Sequence, residues 1–304
     1  MDWVNRRNPY SGTAGTFADI PDFVSIDDVP AATHSTLSLG VGAGGPEVVD
    51  LDSESPHILV NAPTNLGKSS VARSVAVQRL ALGDTVVVLD RKMHSHRWAR
   101  DLVPLVHYAD ETASIGAILV NLGWELQRRN QVVKAFSGPV SEAPVGPRII
   151  VLFEETNATL SQLRALDKSS STGGYGALDA FADVMFMGRA VKIHMVAFAQ
   201  LASYRSGLTA DLIENFGTKV LIGYSDKAWK WLVPDCGKYR VAPSEVGRGM
   251  VCRAGTARQV QLVWMPEESA AEYVTSSVPA QRQARELAGS RRNLPPVWRQ
   301  AIGR

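Results

Sequence analysis

"NAPTNLGKSS", residues 61–70, is the stretch on which the fold turns. Its second half carries the end of the phosphate-binding pattern G-x-x-x-x-G-K-[ST], with Gly67, Lys68 and Ser69 in place. Ala62 stands where the first glycine belongs. Such a loop works because successive backbone N–H groups and a helix N-terminus converge on an anion. Gly67 lets the backbone come close, Lys68 reaches the β- and γ-phosphates, and the Ser69 hydroxyl ligates magnesium. The run Ala62, Pro63, Thr64, Asn65, Leu66, Gly67, Lys68, Ser69 and Ser70 is therefore expected to cradle ATP with Mg2+. The replaced positions set conformation rather than contact. Asn65 is one of the few non-glycine residue types that tolerates positive φ, and Ala62 need not occupy a forbidden region.

The surroundings decide whether the match is more than chance. "HILVN" (57–61), "TVVVLD" (85–90), "RIIVLFEE" (148–155), "IHMVAFAQ" (193–200) and "KVLIGY" (219–224) are near-continuous apolar runs, as expected of strands covered on both faces. Lys68–Leu82 reads as a helix directly after the loop, and Ile115, Ile118, Leu119, Leu122 and Leu126 mark one face of another. This alternation predicts an α/β fold, a mostly parallel sheet flanked by helices, with the lysine loop between a strand and a helix. Residues 1–48, rich in Pro, Gly, Thr and Ala, read as an extended arm with short strands at best. Residues 49–264 form the α/β body, and 265–304 a charged helix followed by a basic tail.

The 304 residues, 45% of them hydrophobic, suffice for one large domain or two small ones. No apolar run approaches the ~18 residues of a membrane-spanning helix, and the N-terminus has no signal-type segment, so the cytoplasm is the expected compartment. Cys236 and Cys252, with no C-x-x-C spacing, argue against a disulfide framework or a zinc site. A formal charge of +2 does not by itself advertise nucleic acid, although residues 281–304 carry six arginines against the single Glu286. That tail reads either as a phosphate contact or as a solvated end.

A second motif is "IIVLFEE", an apolar strand ending in Glu154 and Glu155. In P-loop ATPases the first acid of such a pair supports magnesium, and the second polarises the attacking water. Gln200, at the end of "IHMVAFAQ", is placed to sense the γ-phosphate.

Together with "LSLGVGAGGPEVVDLDSESPHILVNAPTNLGKSS" (37–70), "VVVLDRKMH" (86–94), "ELQRRNQVV" (125–133), "IIVLFEETNATL" (149–160), "GRAVKIHMVAFAQLAS" (188–203) and "VGRGM" (246–250), these motifs resemble the motor domain of the FtsK/SpoIIIE family of DNA translocases, in the family's order. Asp90 and Lys92 match the family's Asp-x-Lys strand end. The resemblance implies a RecA-like P-loop ATPase of the FtsK/HerA type that assembles as a homo-hexameric ring and pumps double-stranded DNA. It further implies that Glu155, Glu154, Lys68 and Gln200 serve hydrolysis, with Ser69 and Glu154 on the metal. Arg189, in "GRAVKIH", is implied either as an arginine finger for a neighbour's γ-phosphate or as a structural ion-pair residue. The family's pore loops correspond to 160–176 and 201–212, where Arg164, Lys168 and Arg205 are the candidate DNA-contacting cations or else solvated charges.

Departures from the family are Ala62 and Asn65 for glycine, Glu154 for aspartate, Leu201 for arginine and Met250 for aspartate. They point to slow or regulated hydrolysis. The chain looks more like the compact versions carried by actinobacterial plasmids, integrative elements or phages than like chromosomal members, which suggests plasmid or phage DNA transfer (conjugation). Two other readings share the motifs: a type VII (EccC-like) polypeptide-translocating ATPase, and a nucleotide-binding scaffold with impaired hydrolysis.

Overall fold

Apolar residues in the central strands alternate between two cores, so the sheet is covered on both sides. The computed structural model describes residues 20–102, 106–169, 174–200 and 208–277. Its strands are β1 (Thr36–Gly42), β2 (Gly45–Asp50), β3 (Ile58–Asn61), β4 (Thr85–Leu89), β5 (Val106–Ala109), β6 (Ile149–Phe153), β7 (Ile193–Ala199), β8 (Thr218–Leu221), β9 (Arg248–Arg253) and β10 (Thr256–Leu262). The helices are α1 (Lys68–Ala81), α2 (Arg97–Asp101), α3 (Thr112–Ala135), α4 (Thr156–Ser169), α5 (Ala177–Met187), α6 (Ala210–Glu214), α7 (Asp226–Leu232) and α8 (Glu267–Ser277). On one face Leu59, Val87, Leu89, Val151, Phe153 and Met195 meet α3, α4, α5 and α7. On the other, Ile58, Val60, Val86, Val88, Leu152 and Phe198 meet α1, α2 and α8. Each such side chain, taken fully out of water, contributes about 1.5–3 kcal/mol.

One sheet runs β2-β1-β10-β9-β8-β3-β7-β6-β4-β5. From β8 to β5 the pairing is parallel, and from β2 to the β9–β8 pair it is antiparallel. The parallel strands β3, β7, β6 and β4 end in register, with Asn61 beside Ala199, Phe153 beside Ala197 and Leu89 beside Phe153. Their carboxyl ends therefore form one edge, the usual location of ligand crevices in open α/β sheets.

The five expected strands are β3, β4, β6, β7 and β8, and the face Ile115, Ile118, Leu119, Leu122 and Leu126 of α3 is buried. Two hairpins and the short β5 are additional. The expected boundary between residues 48 and 49 falls inside β2, because the β1–β2 hairpin is part of the sheet. The glycines that made this segment read as an arm have a packing reason. A Cβ on Gly40 would lie 2.1 Å from the Gln261 carbonyl oxygen, so β10 approaches β1 as only glycine permits. The sheet has two edges: β2, with Pro46 and an inward Glu47 bound to Arg253, and the four-residue β5.

Among the described residues no helix is long and apolar enough to cross a membrane.

Candidate functional site

β3 feeds the loop and the loop feeds α1. Ala62 is fully buried in the core above α1, and its N–H donates to the Ala199 carbonyl at 3.2 Å. It extends the strand rather than turning it, which explains how alanine is tolerated there. The positive φ values fall later, at Asn65 (64°) and at Gly67 (100°), the N-cap of α1. A Cβ on Gly67 would touch nothing, so the requirement for glycine there is conformational. α1 has no side-chain cap and no acidic residue in its first turn, so its N-terminal amides face the cleft without a competing anion. Lys68 is buried, and its Nζ donates to the carbonyls of Ala62 (2.8 Å) and Pro63 (3.2 Å). Burial lowers its pKa, against the opposing pull of Glu154 and Glu155.

The acidic pair sits where β6 ends. Glu154 is buried, and its Oε1 lies 3.0 Å from His96 Nε2. The Trp98 indole N–H donates to His96 Nδ1 at 3.3 Å. An indole nitrogen can only donate, so Nδ1 carries a lone pair and Nε2 carries the proton given to Glu154. Burial works to raise the Glu154 carboxyl. The His96 hydrogen bond and the charges of Lys68 and Lys92 outweigh it and hold the group below its ordinary range.

Glu155 lies in the left-handed region at φ 46°, a strained position for a residue with a side chain. Lys92 pairs with its Oε1, and Gln200 Nε2 donates to the same oxygen at 3.3 Å and to Thr64 Oγ1 at 3.1 Å. Both partners sit on one oxygen, Oε1. Lys92 is delivered by a loop that folds around Asp90, whose Oδ2 accepts from the N–H groups of Ser95 and His96 at 2.9 and 3.0 Å. Asp90 Oδ1 is buried with no hydrogen-bond partner among the described residues.

The structure thus brings Thr64, Lys68, Glu154, Glu155 and Gln200 together. Ser69 lines the cleft above the loop, which has a volume of about 700 Å³ and is also bordered by Lys92 and Glu154. The Ser70 hydroxyl turns aside, accepting from the Met265 N–H at 2.7 Å. Pro63 and Asn65 are exposed, and Leu66 packs against the α1-side core. His96 was not among the expected residues, and Lys92 was expected only as part of the Asp-x-Lys strand end.

Other expected residues lie apart from the loop. Arg189 precedes β7 and donates to the Ser53 carbonyl at 3.3 Å. Gln200 follows the other end of that seven-residue strand, so the two are on the order of 20 Å apart. Arg164 and Lys168 lie four residues apart on the exposed face of α4, which starts directly after Glu155. Arg205 and the tail 281–304 lie outside the described residues.

The amino edge of the parallel strands holds a different network. Arg129 of α3 donates to Glu125 and to the carbonyls of Val191 and Pro147. Arg148 donates to Asp52 and to His194 Nε2. Arginine cannot accept, so His194 is neutral and its Nδ1 donates to Pro56 O at 2.8 Å. His57 Nδ1 accepts from the Met195 N–H at 2.9 Å, which makes it neutral as well. Burial pushes His57 down to about 4, and burial and Arg148 push His194 well down.

No family model matches the chain, and no curated protein matches it in sequence. Solved structures do match in fold. The pCW3 conjugation coupling protein TcpA, a monomer form with ATPγS, is 17% identical with a TM-score of 0.66, over 85% of this chain and 75% of that one. EssC ATPases 2 and 3 from Geobacillus thermodenitrificans are 14% identical at 0.65, over 91% and 55%. EccC ATPases 2 and 3 from Thermomonospora curvata, in complex with a signal sequence peptide, are 13% identical at 0.56, over 81% and 44%. This chain thus spans three quarters of the TcpA chain and about half of the other two. Its fold is that of the RecA-like P-loop ATPases of the FtsK/HerA type.

Proposed function

We propose that the protein is an ATP-driven motor that moves double-stranded DNA, acting as a ring of identical subunits, most simply a hexamer. The observation that carries this reading is the convergence of Lys68, Glu154, Glu155 and Gln200 on one loop–helix junction. The junction fits a magnesium nucleotide: the uncapped α1 amides and Lys68 suit a chain of phosphates, and Ser69 and Glu154 suit the ion. When bound, Mg–ATP supplies the phosphoryl group and the charge that makes it reactive. Lys68 and the amides of residues 67–69 bind and orient the phosphates. Glu155, anchored by Lys92 and Gln200, orients a water and receives its proton. Arg189 lies far from its own loop and donates to the Ser53 carbonyl, so as an arginine finger it would serve a neighbouring subunit's phosphates, and otherwise it is structural.

DNA is the favoured cargo because Arg164 and Lys168 stand on the exposed face of the helix that begins just after Glu155. A phosphate pulling on α4 bears directly on the acid that handles water. A ring multiplies two cations per subunit into a positive collar. The conjugation role named for TcpA agrees with transfer of plasmid or phage DNA. A second reading, polypeptide translocation, is favoured by the near-equal likeness to EssC and by the signal peptide named for EccC.

Phosphate release by the full chain, measured with duplex DNA, with a signal peptide and with neither, separates the two. DNA-stimulated turnover, displacement of a third strand and ATP-dependent oligomers in mass photometry are expected. DNA affinity should fall with salt at a log–log slope of about −0.9 per phosphate contacted. ATP turnover that ignores DNA at every salt concentration and responds to peptide would overturn the DNA reading.

A further inference from the structure

Phe23 and Trp264 are large aromatic side chains left about half exposed (53% and 52%) on the rim of the cleft whose floor is the phosphate loop. Their ring centroids are 5.5 Å apart and their planes tilt by 54°. Alternation along two neighbouring segments puts them there. Val263 and Met265 flank Trp264 and are buried, as is Val24 next to Phe23. The Trp264 N–H donates to the Val24 carbonyl at 2.8 Å, so the segments lie side by side and turn these two residues outward together. Beneath them Val24, Val29, Val41 and Val263 form a small core of their own.

The pair is also fixed to α1. Met265 N–H donates to Ser70 Oγ at 2.7 Å, and Arg73 Nε donates to the Met265 carbonyl at 2.7 Å. Trp264 is thereby held beside the first two turns of the helix whose N-terminus closes the loop. Two exposed aromatics touching each other in a cleft this size mark a binding surface rather than an ordinary rim.

We propose that this pair is the nucleobase subsite of the phosphate-loop cleft. The inference rests on the nucleotide reading above and extends it to the base. Contacting rings need about 3.5 Å on each side, so a base cannot enter between centroids 5.5 Å apart. It lies instead on the outer face of Trp264, while Phe23 props that indole from behind and sets its plane. The N-terminal segment around Phe23 therefore belongs to the ligand site, and its position responds to the nucleotide.

Calorimetry on the full chain with two probes, Mg–ATP and inorganic tripolyphosphate, tests this, because only the first has a base. Trp264→Ala should weaken ATP binding by about tenfold and Phe23→Ala by less, with tripolyphosphate unchanged for both. Trp264→Phe should keep most of the affinity and lose most of the nucleotide-induced quenching of tryptophan emission. Lys68→Ala should lose both probes. ATP affinity unchanged in both alanine variants, with Lys68→Ala still defective, would place the base elsewhere and leave the nucleotide reading intact. Equal weakening of both probes by Trp264→Ala would make the pair a structural prop and overturn the proposal. A wild-type chain that binds neither probe would overturn the nucleotide reading, and the subsite with it.

Discussion

At the amino edge of the parallel strands Arg129 and Arg148 are each locked to a carboxylate and to fixed backbone or imidazole acceptors. At the carboxyl edge Lys68 and Lys92 hold a loop carbonyl pair and a strained glutamate. Both edges hold buried charge, but only one keeps it in contacts that a ligand could exchange. Guanidinium forks fitted to several acceptors give rigidity. An ammonium on a flexible stem, and a carboxylate at positive φ, give a site that can rearrange when phosphate arrives. One edge anchors the sheet and the other is available for chemistry.

Four experiments would break or sharpen this contrast. The largest effect is expected at the carboxyl edge. Glu155→Gln should lower ATP turnover by about 10²–10⁴-fold, with nucleotide affinity nearly unchanged by calorimetry. Ordinary phosphate release from that variant would show that the carboxylate handles no proton. At the amino edge, Arg129→Ala leaves Glu125 to Arg128 but strips the Val191 and Pro147 carbonyls of a donor, and should cost about 3 kcal/mol in urea unfolding. Its folded fraction should still bind ATP normally, and weakened binding would mean the edges are not separable.

Acid should act through the amino edge. His57 sits near 4 when folded against an ordinary 6.5, so the unfolded chain binds the proton more tightly. Its contribution is therefore intact above pH 6.5 and is lost as pH falls toward 4, by on the order of 3 kcal/mol. Urea midpoints at pH 7, 5.5 and 4.5 measure the slope, and His57→Gln should reduce it, with His194 supplying the remainder. The smallest effect is expected for Ala62→Gly. Since Ala62 continues the strand, affinity should hold or improve slightly and stability should fall by no more than about 1 kcal/mol. A large loss of binding, read by calorimetry, would show that the methyl group shapes the loop.

The central strands were legible because burial on both faces writes itself as unbroken apolar runs such as "TVVVL" and "IIVLF". The meeting of Lys68, Glu154, Glu155 and Gln200 was legible for a related reason. Each ends or follows a parallel strand, and parallel strands in register place such positions on one edge. His96 left no comparable trace. It reaches Glu154 across 58 residues, through a loop folded about Asp90, and no local period encodes that. Phe23 and Trp264 sit in segments whose alternation is too short to stand out, and they meet because the segment after β10 runs beside the one before β1. The β1–β2 hairpin was hidden by its glycines, which read as loop until the closeness of β10 is known.

The way the sheet ends limits how copies of the chain can meet. An open sheet of this width could in principle grow sideways by adding a strand from another molecule. At β2, Pro46 withholds a donor and Glu47 turns its charge inward to Arg253, while β5 is only four residues long. Both are poor templates for a visiting strand. Among the described residues, any assembly of identical copies is thus steered away from continuous cross-chain sheets and toward helix and loop surfaces. Contacts of that kind, unlike a hydrogen-bonded strand ladder, can slide and reset.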